Sequence, residues 1–87
     1  MREITINCAE IRSVADLHGL LAEELAFPAW YGGNLDALHD CLTAICEETR
    51  ITFLHFPALP FPSAGLLRVL RDSEQENPHL EISLLTN

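Results

Sequence analysis

Basic residues are scarce: five arginines and lysines stand against thirteen acidic residues, for a formal charge of −8. A surface so short of cations repels the phosphates of nucleic acid and anionic membrane surfaces, and it attracts basic proteins. Direct nucleic-acid or membrane binding is therefore not expected, although solubility alone also accounts for charge of this size. Cysteine is sparse too. Cys8, Cys41 and Cys46 form an odd set without a C-x-x-C pair, which argues against a disulfide framework or a zinc site of the usual spacing. They read as reduced thiols packed as small hydrophobes, with Cys8, at a strand end, the one open to exposure. No apolar run approaches the ~18 residues of a membrane span. The opening "MREITINCAE" is polar and alternating, unlike a signal peptide, so a cytoplasmic protein is expected. Internal repeats and low-complexity segments are absent as well.

What is present is a hydrophobic content of 48% in 87 residues. A chain of this size buries ~60–65% of its extended surface and supports one core, so residues 1–87 are expected to form a single domain with one site. "EITIN" is β-branched and alternating, the pattern of a strand. "RSVADLHGLLAEELA" then sets Val14, Leu17, Leu20, Leu21 and Leu25 at helical spacing behind the S-x-x-D start signal of Ser13 and Asp16. "FPAWYGG" breaks that helix, because Pro28 cannot continue the ladder and Gly32–Gly33 admit unusual backbone angles. Asn34 is a suitable N-cap for a second, mostly buried helix reaching about Cys46 or Glu47. "RITFLHF" is a second strand, closed by "PALPFPS"; Ser63 can cap a third helix to about Gln75; "LEISLLT" is the last strand. Strands joined by helical crossovers are normally parallel and right-handed. The expected fold is α/β: a small three-stranded parallel sheet packed against helices in β-α-α-β-α-β order.

The second helix has one polar stripe. At ~100° per residue, Asp36, His39, Asp40, Thr43 and Glu47 share an arc of roughly 100° on an otherwise apolar surface. A half-buried helix needs a solvated face, and Asp36 in the first turn also suits the helix dipole. Asp40 lies beyond that benefit and stands one turn from Asp36, where like charges repel by a few tenths of a kcal/mol. That small cost argues for a function. Trp30 and Tyr31, beside two glycines, add flat contact area of the kind found in protein-binding hot spots, although a loop anchor is the plainer role for Trp30.

These residues carry a resemblance. "IRSVADLHGLLAEELAFPAWYGGNLDALHDCLT" resembles the barstar family of ribonuclease inhibitors, whose most specific motif is the aromatic–Tyr–Gly–x–Asn–Leu–Asp–Ala–Leu–x–Asp segment. The likeness runs without a gap from about Ile4 to Thr43 and resumes at "VLRDSEQE" and the last strand. It implies a three-stranded parallel α/β domain that plugs the active site of a small, basic, secreted ribonuclease while that enzyme is still inside the cell, one-to-one, without metal or cofactor, and monomeric when free. It also implies roles: Asp40 enters the enzyme's phosphate pocket in place of an RNA phosphate, Trp30 packs over the catalytic histidine, and Asn34, Asp36 and Thr43 flank them. Gly32, Leu35 and His39 join the same interface, and from the third helix Asp72 and Glu76 supply acidic contacts. Three departures point to different target side chains: His39 and Ile45 stand where the family has tryptophans, and "PALPFPS" is shorter than a stretch that includes an additional short helix. The physical logic holds apart from the family, since a ribonuclease grips phosphate with desolvated cations and a rigidly held carboxylate can pair with them.

Two other readings stay open. The acidic face can serve another basic protein, such as a DNase-type toxin or a regulatory partner, with Glu23, Glu24, Glu47 and Glu48 adding to its field. Asp36, His39 and Asp40 as a catalytic or metal cluster is the weaker one, because the set lacks a third anchored ligand or a nucleophile. His18, near the inward side of the first helix, His55, in a strand, and His79, after Pro78, are expected to be structural or solvent-facing.

Overall fold

The computed structural model describes residues 1–86. Three strands, β1 (Arg2–Asn7), β2 (Thr49–Leu54) and β3 (Leu80–Leu84), and three α-helices, α1 (Val14–Leu25), α2 (Leu35–Thr43) and α3 (Ala64–Glu76), alternate in the order β-α-α-β-α-β. Short 3₁₀ turns at Cys8–Glu10 and Phe56–Ala58 follow β1 and β2. The strands lie in the order β1-β2-β3, all parallel, with Ile4, Ile51 and Ile82 in register across the sheet.

Period-two alternation decides which side of the sheet is dry. Ile4, Ile6, Ile51, Phe53, Leu80 and Ile82 are buried on one face, under Leu17, Leu21 and Leu25 of α1, Leu38 and Leu42 of α2, and Leu66 and Leu70 of α3. The opposite face is polar, and Arg50 in its centre donates to Glu3 on β1 and Glu81 on β3, both at 3.0 Å. Parallel sheets are usually covered on both faces. Here, right-handed crossovers between strands that follow one another in sheet order bring every helix to the same side.

Helix α1 starts as its sequence signals: the Ser13 Oγ accepts from the Asp16 amide, and the Asp16 carboxylate accepts from the Arg12 amide, both at 3.1 Å. It stops at Ala26, in the left-handed region at φ 54°. Val14 is exposed, unlike the other apolar residues of its spacing. Cys8 is fully buried in the 3₁₀ turn and Cys41 is buried too, as packed small hydrophobes, whereas Cys46 departs from that expectation and is exposed. His55 lies just past β2 and not in it, exposed and with a left-handed backbone at φ 55°. Ser63 occupies the N-cap position of α3, but its hydroxyl makes no capping bond.

Candidate functional site

Trp30 comes from a loop with few anchors. The Tyr31 amide donates to the Pro28 carbonyl at 2.9 Å, closing a turn around Ala29 and Trp30. The Tyr31 ring then turns inward against Phe27, with centroids 4.9 Å apart, and its hydroxyl meets Nδ1 of buried His18 at 2.5 Å. Burial pushes the tyrosine pKa up to about 12, with the nearby Cys41 adding to the shift, and lowers that of His18. Trp30, next in the chain, is left 71% exposed. Gly33 follows at φ 65°, a left-handed angle that a side chain resists, and delivers the chain to the N-cap.

Asn34 caps α2 by accepting from the Ala37 amide at 2.8 Å. Its side-chain nitrogen lies 3.1 Å from where a Cβ on Gly32 would stand, so residue 32 has little room to grow. Leu35 is half-buried and packs on the core beside Gly65, whereas Asp36 and Asp40 are exposed one turn apart. Among the described residues, no ion pair reaches Asp36, Asp40 or Asp72. Trp30, Asp40, Cys41, Ala44 and Ile45 line one hollow of about 200 Å³.

Helix α2 ends at Thr43, about one turn earlier than its sequence suggests. The Thr43 hydroxyl turns back to donate to the His39 carbonyl at 2.8 Å and to the Asp40 carbonyl at 3.2 Å. Asn77, buried at the end of α3, donates through its side-chain nitrogen to the carbonyls of Leu42 and Ile45, both at 2.9 Å. These bonds satisfy the backbone acceptors that a helix end leaves free. The early stop removes Glu47 from the stripe, and it faces Arg2 at 3.3 Å instead. It also leaves Cys46 in exposed, non-helical chain.

The packing of α2 beside α3 brings His39 Nε2 to 2.5 Å from the Glu76 carboxylate. That hydrogen bond is the main reason the His39 pKa is raised, and the charges of Glu76, Asp40 and Asp72 act in the same direction against a smaller opposing effect of burial. Asp40 therefore lines one hollow with the indole and lies close enough to the imidazole–carboxylate pair for its charge to act on His39. Trp30, Gly32, Asn34, Asp36, His39, Asp40, Thr43, Asp72 and Glu76 all belong to the surface of this loop and of the two helices. Leu35 belongs more to the packing beneath it.

Such an arrangement suits recognition better than bond-breaking, because exposed carboxylates without local partners are ready acceptors for a visitor's cations. Among the described residues, no three His, Cys, Asp or Glu side chains are grouped to hold a metal. Sequence reasoning missed two residues that build the site. Asn77 before Pro78 signals only a helix end, and nothing at that position names acceptors more than thirty residues away. The bond of His18 to Tyr31 was half visible, in that His18 falls on the inward side of α1.

The family model described as "Barstar (barnase inhibitor)" matches residues 1–85. A Bacillus subtilis (strain 168) protein named "Putative ribonuclease inhibitor YrdF" is 49% identical over 43 residues, covering 49% of this chain and 47% of that protein. That match spans about half of the relative's length. The family match is different in extent, since it takes in every strand and helix that supports the acidic surface: the chain belongs to the barstar family.

Proposed function

We propose that this protein inhibits a small, basic, secreted ribonuclease inside the cell that makes it, by seating the Asp40 carboxylate where the enzyme would hold an RNA phosphate. The observation that carries this reading is the exposed Asp40, without an ion-pair partner among the described residues, beside an exposed tryptophan, in a chain of the barstar family with a charge of −8. Asp36 and Asp72 add negative charge around it. The name of the Bacillus subtilis relative agrees with the reading. One inhibitor occupies one active site, and neither metal nor turnover is required.

The test is a titration of the purified protein into a panel of small secreted ribonucleases. Loss of activity at a near one-to-one ratio, unchanged by a chelator, is the expected result. Protection against a DNase-type toxin with no effect on any ribonuclease would move the acidic face to a different nuclease. Inhibition that a chelator abolishes would contradict the contacts proposed here.

A further inference from the structure

The residue that presents Trp30 is in the protein's interior. Trp30 is 71% exposed, and among the described residues its ring stacks on no other. Its position is therefore set by its neighbours in the chain. Pro28 and Ala29 on one side are exposed, as are Gly32 and Gly33 on the other. Tyr31 is the inward-facing member of the turn, held by Phe27 and by His18, and His18 is only 4% exposed. With the phenol protonated and the imidazole neutral, the phenol is the stronger donor and an unprotonated ring nitrogen the stronger acceptor, so we assign the bond as Tyr31 O–H donating to His18 Nδ1. Gly33 passes within 3.9 Å of the same histidine, measured from the place of its missing Cβ, so Tyr31 and Gly33, on either side of Gly32, both meet one side chain.

We propose that His18 is a positioning residue for partner binding: by accepting from Tyr31 it fixes the turn that holds Trp30 out beside Asp40. The role in affinity rests on the ribonuclease-inhibitor reading given above; the anchoring itself does not. An indole free to swing would lose rotamer and backbone freedom on docking, and that loss weakens binding. A preset indole has already lost it.

Trp30 is the chain's only tryptophan, so its fluorescence anisotropy reports the turn directly and without a partner. Tyr31→Phe removes only the hydroxyl and is the main variant. It should lower the anisotropy of Trp30 and weaken binding to the inhibited ribonuclease by about 3- to 10-fold, the scale of one neutral hydrogen bond. His18→Leu should do the same, and His18→Gln, whose amide oxygen can still accept, should restore most of both. In a Trp30→Ala background, Tyr31→Phe should cost no further affinity. Wild-type anisotropy in Tyr31→Phe overturns the anchoring. An affinity loss that persists undiminished without Trp30 overturns the positioning role, because the hydroxyl would then act on the fold at large. If Trp30→Ala alone binds like the parent, the reading of the binding surface fails, and the anisotropy still decides the anchor.

Discussion

Among the described residues Asp40 has no ion-pair partner to lose, and that sets what its removal should do. In the free protein, Asp40→Ala ends the repulsion with Asp36 one turn away and breaks no ion pair, so the melting temperature should hold or rise. In a complex the same change leaves the enzyme's cations buried and unpaired, at a cost of ~2–5 kcal/mol, a range to which barnase–barstar, this family's own pair, contributes. Affinity should fall at least ~30-fold, taking ~1.4 kcal/mol per factor of ten. Asp36→Ala and Asp72→Ala should lose less, as contacts nearer a wet rim. Dissociation constants and thermal melts of the three variants decide it: wild-type binding by Asp40→Ala, or its unfolding, defeats the phosphate-mimic model. His39 answers to pH with two opposite signs. Its bond to Glu76 raises its pKa, so the stabilisation it gives the fold is fully present below the ordinary histidine value of ~6.5 and is lost as pH rises through the raised folded value. Binding runs the other way, since a proton on His39 puts positive charge among carboxylates meant for cations. The affinity should weaken as pH falls through that same raised window, which lies above the one the sequence alone would give. His39→Gln should flatten both trends, and the comparison cancels any titration by the enzyme's own histidines. Identical pH profiles for wild type and His39→Gln would remove His39 from the mechanism.

Helix α2 shows what an element can and cannot declare about itself. Its start was legible because Asn34 acts on an amide three residues away, and the same holds for Ser13 and Asp16 at the head of α1. Its end was not, because apolar residues continue through Ile45 and the stop is imposed from α3. Asn77→Ala should test this directly. The variant leaves the Leu42 and Ile45 carbonyls without their donor in a site where Asn77 itself is only 3% exposed. The expected loss is about 1–3 kcal/mol, and roughly 4–8 °C of melting temperature for each kcal/mol in a domain of this size. A melting temperature within a degree of wild type would mean that water serves those carbonyls equally well. The 3₁₀ turns were hidden for a related reason. Cys8–Glu10 and Phe56–Ala58 are too short to show a period, so the sequence left exposure of Cys8 open where the turn carries it into the core. The candidate residues on α2 and α3 could be named one by one, but the bond between His39 and Glu76 depends on the register of one helix against the other, which no local pattern encodes.

At the scale of the molecule, connection rules were enough for parallel strands, but leaving one face of the sheet without helices also needs the strand order β1-β2-β3, which no local pattern states. The same arrangement governs the charge. All five basic residues are arginines, and three of them, Arg2, Arg50 and Arg71, are engaged by Glu47, by Glu3 and Glu81, and by Glu74. None pairs with Asp36, Asp40 or Asp72 among the described residues, so the acidic surface of α2 and α3 keeps its field. A cationic enzyme approaching it is steered from a distance, and steering of this kind raises association rates by ~10- to 10³-fold at low salt. Raising salt from 0.1 M to 1 M shortens the Debye length from ~10 Å to ~3 Å, less than the separation at which steering acts. The association rate constant should therefore fall by at least about tenfold over that range, while dissociation, governed by short contacts from which water is excluded, should change far less. Stopped-flow mixing with the inhibited ribonuclease at graded salt separates the two constants. An association rate indifferent to salt would mean that the −8 charge serves solubility alone and that the partner is found by diffusion and shape.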